Sequence, residues 1–270
     1  MSPEYWDPNR KLGGAFADAY EFNGEISKWD VSNAIGMARI FMRATSFNGN
    51  ISNWDVSRVR YMFSMFYKAP FFNGDLSKWD VSSVIDMASM FHETSFNGDI
   101  SKWDASRVTV MAGMFSESSF NGDISKWDVS GVKDMTRTFM HAKAFGGDIS
   151  KWDVSNVAYM NEMFANAVKF TGDLSKWDVS RVINMSAMFR DGNSFNGKIS
   201  TWDVACVTNM NAMFQKATSF NGDISKWDVS SVVNMDHMFQ DAKSFKQKLC
   251  WHPWVSKTSQ KLMFEGSYGS

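Results

Sequence analysis

The stretch Phe120-Asn121-Gly122-Asp123-Ile124-Ser125-Lys126-Trp127-Asp128-Val129-Ser130 decides the fold, because it returns about every 25 residues along nearly the whole chain. Trp29, Trp54, Trp79, Trp103, Trp127, Trp152, Trp177, Trp202 and Trp227 mark nine turns of it, and each is followed by an Asp. A period of about 20–50 residues is the mark of a stacked architecture. One unit is too small to bury its apolar face alone, so stability comes from neighbour interfaces.

Within the coil from Phe145 to Lys169 the spaced apolar positions are Phe145, Ile149, Trp152, Val154, Val157, Met160, Met163, Phe164 and Ala167. Strict alternation is absent, which excludes a sandwich of long strands. Two local readings compete. Val157 to Ala167 fits one face of a short helix with Ser155 as its N-cap. Alternatively Val157 to Met160 is a short strand and only Asn161 to Ala167 turns helically. The Ile-Ser-Lys-Trp-Asp-Val stretch is rich in β-formers and is expected to be extended. The favoured expectation is one short parallel strand per coil, or two, with one short helix opposite: an α/β repeat solenoid.

The punctuation is regular. Gly stands at Gly24, Gly49, Gly74, Gly98, Gly122, Gly147, Gly172, Gly197 and Gly222, which reads as a left-handed backbone corner. Asn precedes it except at Gly146 and Thr171, and stacked Asn side chains can bond the backbone of neighbouring coils. The Asp after each Trp can accept from the amide two residues on. The coil loses one residue between Phe91 and Phe96 and between Phe115 and Phe120, which places a tolerated deletion in the helix-to-corner loop.

Residues 1–21 read as an N-terminal cap and half-coil, 22–245 as nine repeats forming one solenoid, and 246–270 as a degenerate C-terminal cap. In that cap Cys250-Trp251-His252-Pro253-Trp254 breaks the motif, while Met263-Phe264 echoes the usual Met-Phe pair. The formal charge of −1 gives no global field toward nucleic acid or an anionic membrane. No apolar run reaches the length of a membrane span. Met1 to Gly14 lacks the apolar core of a secretory signal, so either the protein stays where it is made or a leader was removed. Cys206 and Cys250 lie about two coils apart, beyond disulfide reach, and are expected to be free.

The segment Trp152-Asp153-Val154-Ser155-Asn156-Val157, continuing through Met160 and Met163-Phe164 to Phe170, resembles the BspA-like leucine-rich-repeat family. More narrowly, it looks like the branch with such repeats of about 25 residues found on mycoplasma and other microbial surface proteins and in marine microalgae. The resemblance covers about residues 15–245. It implies a leucine-rich-repeat-like, right-handed solenoid, adhesion or protein-binding roles, a cell-surface or extracellular location, and no enzyme activity. The Trp-Asp pair also occurs in β-propeller repeats, but a four-stranded blade needs about 40–45 residues.

Catalysis needs unlike residues converging on one pocket, whereas near-identical coils offer like residues in rows. His92, His141, His237 and His252 occupy different registers, so they read as surface or packing residues. One Asp per coil lacks the roughly six to eight oxygens calcium needs, so the Asp column reads as turn capping. Lys28, Lys78, Lys102, Lys126, Lys151, Lys176 and Lys226 form a basic column beside an acidic one, and mutual neutralisation is expected over polyanion binding. The Met column, Met62, Met65, Met87, Met90 and their equivalents, is at core spacing. Recognition is expected where coils differ: at Arg58, Arg107 and Arg181, four residues after Trp, and at Tyr61 and Tyr159, seven after it. The reading is a non-catalytic scaffold for a protein partner or a surface glycan. It has no cofactor, no metal, no nucleic acid and no direct membrane insertion. The alternative is a structural subunit or spacer in a larger assembly.

Overall fold

The structure, a computed structural model, describes residues 12–251 and 258–270. Readings made on residues 1–11 and on His252, Pro253 and Trp254 lie outside the described residues. The chain is a solenoid. One parallel bridge per coil climbs from Gly36 through Tyr61, Asp86, Val110, Asp134, Tyr159, Asn184, Asn209 and Asn234 to Ser259. Each bridge is a single residue wide, so the expected strand is a rung of one residue.

The expected helix is absent: no described residue is helical. The segment Met62 to Ala69 is instead a run of tight turns. Met65, Tyr67 and Ala69 donate their amides three residues back, to Met62, Ser64 and Phe66. The intervening amides of Met62, Ser64, Phe66 and Lys68 donate to Asp86, Ala88, Met90 and His92 of the next coil at 2.7–3.0 Å. A helix would use every amide within its own coil and leave none to join neighbours. The stacked array therefore favours alternation between local turns and inter-coil bonds.

That alternation forces a left-handed residue at the third position of two turns in each coil, where type II geometry requires positive φ. Ser64 and Lys68 both have φ of 55°. The equivalent pairs in other coils include Arg39 and Arg43, Ala187 and Asp191, and Ala212 and Lys216. Ser155, expected as an N-cap, donates its amide to Asp153 Oδ1 in a local turn.

The corner glycines have a different cause from the expected one. None of the nine lies at positive φ; among the described glycines only Gly14, Gly113 and Gly266 do. A Cβ on Gly49 would meet the Phe47 ring at 2.9 Å and the Gly24 carbonyl of the coil below at 3.4 Å. Glycine is needed there because ring and backbone both close on its Cα.

The interior is columnar. Phe41, Phe66, Phe91, Phe115 and their equivalents stack with ring centroids 5.4–5.8 Å apart. A second column, Phe47, Phe72, Phe96 and onward, stacks at 5.9–6.3 Å and lies against the first at 3.7–4.1 Å. Met62, Met65, Met87 and Met90 are fully buried between coils. Each indole from Trp54 to Trp251 donates Nε1 to an Ile or Leu carbonyl of the preceding coil at 3.0–3.1 Å, as Trp54 does to Ile26.

The same bond corrects one expectation. Trp251, read as breaking the motif, is buried and donates to Ile224 in full register. The second half of that coil follows: Ser259 bridges Asn234, and Phe264 stacks on Phe239 at 5.4 Å. In the two shortened coils hydroxyls complete the turn. Thr94 Oγ1 donates to Phe91 O and Ser118 Oγ to Phe115 O, both at 2.9 Å, and the Phe pairs stay stacked at 4.1 Å.

Candidate functional site: the outward columns

With the interior uniform, chemistry lies in the outward positions, and each expected binding residue points outward. Arg58, Arg107 and Arg181 occupy one exposed column. Arg58 is two coils from Arg107 and Arg107 three from Arg181, roughly 10 and 14 Å at the usual spacing of about 4.8 Å. Two of the three are tethered by the coil below: Arg58 Nη1 donates to Asn33 Oδ1 at 3.1 Å and Arg181 Nη1 to Asn156 Oδ1. Tyr61 and Tyr159 stand on the bridge column, four coils apart; Tyr61 is half-buried and Tyr159 is 45% exposed. Arg58 with Tyr61, and Tyr159 with Arg181 one coil on, are the near pairs.

In most coils two corners are built on carboxylates; the Trp54 coil has Asn50 at the earlier corner and the Trp202 coil has Lys198 there. The amide of Ser57 donates to Asp55 Oδ1 at 3.1 Å, that of Ser155 to Asp153 at 3.0 Å, and that of Ser180 to Asp178 at 3.0 Å. Five residues earlier in the coil Ser77 uses Asp75 and Ser101 uses Asp99, both at 2.9 Å. Hydrogen bonds from these serines hold Asp55, Asp75, Asp99, Asp153 and Asp178 below the usual carboxylate range. Lys78 and Lys102 add a weaker charge contribution on Asp75 and Asp99. Among the described residues no ion pair uses this Lys column, so neutralisation acts across solvent.

The Asn column works as a ladder. Asn23, Asn48, Asn73, Asn97 and Asn121 each accept, through Oδ1, the amide of the equivalent residue in the next coil at 2.8–3.0 Å. The ladder lapses above Gly146 and Thr171 and resumes from Asn196 to Asn221.

The histidines do not converge. His92 stacks on Tyr67 at 4.5 Å, and burial pulls its imidazole below the usual range. His141 Nδ1 shares a hydrogen with Asn166 Nδ2, and His237 with Gln240 Oε1. Among the described residues no group of three or more His, Cys, Asp or Glu is placed to hold a metal ion. Cys206 and Cys250 are free and exposed. No helix is long and apolar enough to cross a membrane among the described residues.

The sequence reading passed over the bridge-column carboxylate Asp86, which burial raises above the usual range although Ala88 donates to it at 2.9 Å. It also passed over Phe63 and Phe71. Their signal was present: they are the phenylalanines that fit neither inward column.

Comparison with known proteins gives a family and weak structural likenesses. The family described as "Mycoplasma protein of unknown function, DUF285" matches over residues 6–97, 90–192 and 169–269. No curated protein matches the chain. Among solved structures, the functional domain of InlJ from Listeria monocytogenes, which includes a cysteine ladder, is similar at 12% identity with a TM-score of 0.32. The similarity covers 89% of this chain and 59% of that one. The TLR13–ssRNA13 complex gives 10% identity and a TM-score of 0.20, over 88% of this chain and 49% of that one. The chain thus spans about half to three-fifths of these structures. Likenesses this weak carry no argument about ligand or partner.

Proposed function

The chain belongs to the DUF285 family, and we propose that it is a non-catalytic repeat scaffold that binds a protein partner through its outward columns. The observation that carries this reading is the contrast between columns. The inward positions repeat the same Phe, Met, Trp and Val from coil to coil; among the outward ones the Asp, Lys and Asn columns largely repeat too, whereas the positions four and seven after Trp change chemistry along the rod. A rod bonded coil to coil by backbone, indole and Asn ladders presents those side chains at fixed spacing, which lowers the entropy lost on binding. The resemblance to the BspA-like repeat branch supports adhesion as the setting, and with it a leucine-rich-repeat-like handedness and a cell-surface location.

The experiment is capture of partners by the immobilised chain, in parallel with a variant carrying Arg58→Glu, Arg107→Glu and Arg181→Glu. Stoichiometric partners lost by the variant support the reading. Partners held equally by both would move binding to another face. Catalytic turnover traced to the chain would overturn the non-catalytic reading.

A further inference from the structure

The repeat array is its own reference, since any outward side chain can be compared with the same position one coil away. The chain has 23 phenylalanines, and all but Phe63 and Phe71 belong to the two inward columns. Both exceptions point outward from the Trp54 coil. Tyr61 and Tyr67 lie on the same coil, between and beside them. The neighbouring coils place Ala38 and Ala88 at the position of Phe63, and Ser46 and Ser95 at that of Phe71. The fold therefore needs no aromatic ring at either place. Phe71 is nevertheless 67% exposed, and Ile35 beside this coil is 55% exposed. Four rings of a single coil thus reach the surface, Phe71 exposed and Tyr61, Phe63 and Tyr67 half-buried, and exposed rings are covered poorly by water.

The charges around the rings are unbalanced. Arg43, Arg137 and Arg190 meet carboxylates, Arg43 with Asp18 and the other two with Glu162, all of them in adjacent coils. Among the described residues Arg39, Arg58 and Arg60 have no ion pair. Arg39 lies over the Phe63 ring at 5.3 Å, Arg58 is held by Asn33, and Arg60 stands between Ile35 and Ile85 in its column. The nearby acids are engaged: Glu93 pairs with Lys68 at 3.0 Å, and Asp86 accepts from Ala88. Aromatic rings bracketed by unpaired guanidinium groups are the composition of binding hot spots, and guanidinium prefers carboxylate partners in a planar, two-point contact.

We infer that the outward face of the Trp54 coil docks an acidic segment of a partner protein. Its carboxylates meet Arg39 and Arg60, and its apolar side chains cover Tyr61, Phe63, Tyr67 and Phe71. This rests on the scaffold reading and adds the partner's chemistry and place. A nucleic acid fits the same face less well, because its phosphate charges come at every nucleotide and some would fall on Asp86 and Glu93, whereas a peptide can set apolar residues opposite those acids.

The test is fluorescence anisotropy of the full chain with three labelled probes. These are a short peptide mixture of Asp, Glu, Leu and Gly, the same mixture with Lys replacing the acids, and oligothymidylate. The variants are Phe63→Ala with Phe71→Ser, which install the residues of adjacent coils and so leave the fold intact, and Arg39→Ser with Arg60→Ser. Lys126→Ser with Lys151→Ser is the control on another column. The acidic mixture is expected to bind most tightly and to weaken with salt. Its affinity should fall about tenfold in each patch variant and stay unchanged in the control. Equal binding of the basic mixture or of oligothymidylate overturns the inference, as does an acidic mixture that fails to bind or ignores the patch variants. Partners captured by the whole chain and retained by the patch variants would also overturn it while leaving the scaffold reading intact.

Discussion

Trp177 donates its indole Nε1 to the main-chain carbonyl of Ile149, 28 residues earlier in sequence and one coil below, at 3.1 Å. The same carbonyl also accepts the amide of Trp152, so one oxygen closes a turn and fastens the next coil. Trp177→Phe keeps the ring's burial in part and removes the fastening. The lost hydrogen bond and the gap left by the smaller ring are expected to destabilise the chain by about 2–3 kcal/mol, read as a lower urea midpoint. A change below about 0.5 kcal/mol would mean that the indole bond contributes nothing net.

Glycine is required at Gly197 by crowding. An added Cβ would lie 2.7 Å from the Phe195 ring and 2.9 Å from the Gly172 carbonyl of the coil below. Gly197→Ala is expected to cost about 1–3 kcal/mol, because a main-chain oxygen cannot swing away as a side chain can. A thermal melt of the variant unchanged from the parent would refute the crowding account.

Lys216 is the converse case, a non-glycine residue at φ 57° with an exposed side chain. Lys216→Gly is expected to raise stability, or hold it level, despite the greater freedom it gives the unfolded chain, since the left-handed conformation costs a Cβ-bearing residue about 1–2 kcal/mol. A marked loss on equilibrium unfolding would show that the turn relaxes this strain.

The carboxylates make opposing contributions with pH. The corner aspartates, such as Asp55 and Asp153, have folded pKa values below their unfolded ones. Their stabilisation is present above the ordinary range near about 3.9 and is lost as pH falls through the lowered values, so acid unfolding should set in below about pH 4. Asp86 runs the other way, since burial raises it and its ionised form opposes folding at neutral pH. Asn184 does the same structural work without charge, accepting the Ser186 amide at 2.9 Å. Asp86→Asn is expected to stabilise by about 0.5–1 kcal/mol at neutral pH, with the gain shrinking as acid protonates the parent. An equal gain at both ends of the pH range would rule out burial of charge as the cause.

Much of this was legible from the residues. The period gave the stack, apolar spacing gave Phe145, Trp152 and Met160 as interior, and the Asp-x-Ser and Asn-Gly patterns gave the corner bonds and the ladder. The segment from Val157 to Ala167 was not legible, because consecutive tight turns and a helix both return a side chain to one face about every three residues. What separates them is where the amides go, and that depends on the neighbouring coil. Most of the left-handed sites carry Arg, Lys, Glu, Ser or Ala, none of which announces positive φ, and bonds to the next coil hold them there. At the candidate site the Arg and Tyr positions were visible as departures from the repeat. Phe63 and Phe71 are visible in the same way, as phenylalanines outside the two positions at which Phe repeats.

The lapse in the Asn ladder above Gly146 and Thr171 bears on mechanics. Below it and above it, side-chain amides stitch each coil to the next along one edge; across those two junctions the Asn bonds are missing, and the edge keeps the stacked rings of the Phe column and, three residues on, the indole bonds of Trp177 and Trp202. Directional bonds resist shear, while stacked rings slide. Under torque the rod should yield first at this seam, so that it behaves as two stiff arms able to match a curved partner by a small twist at mid-length.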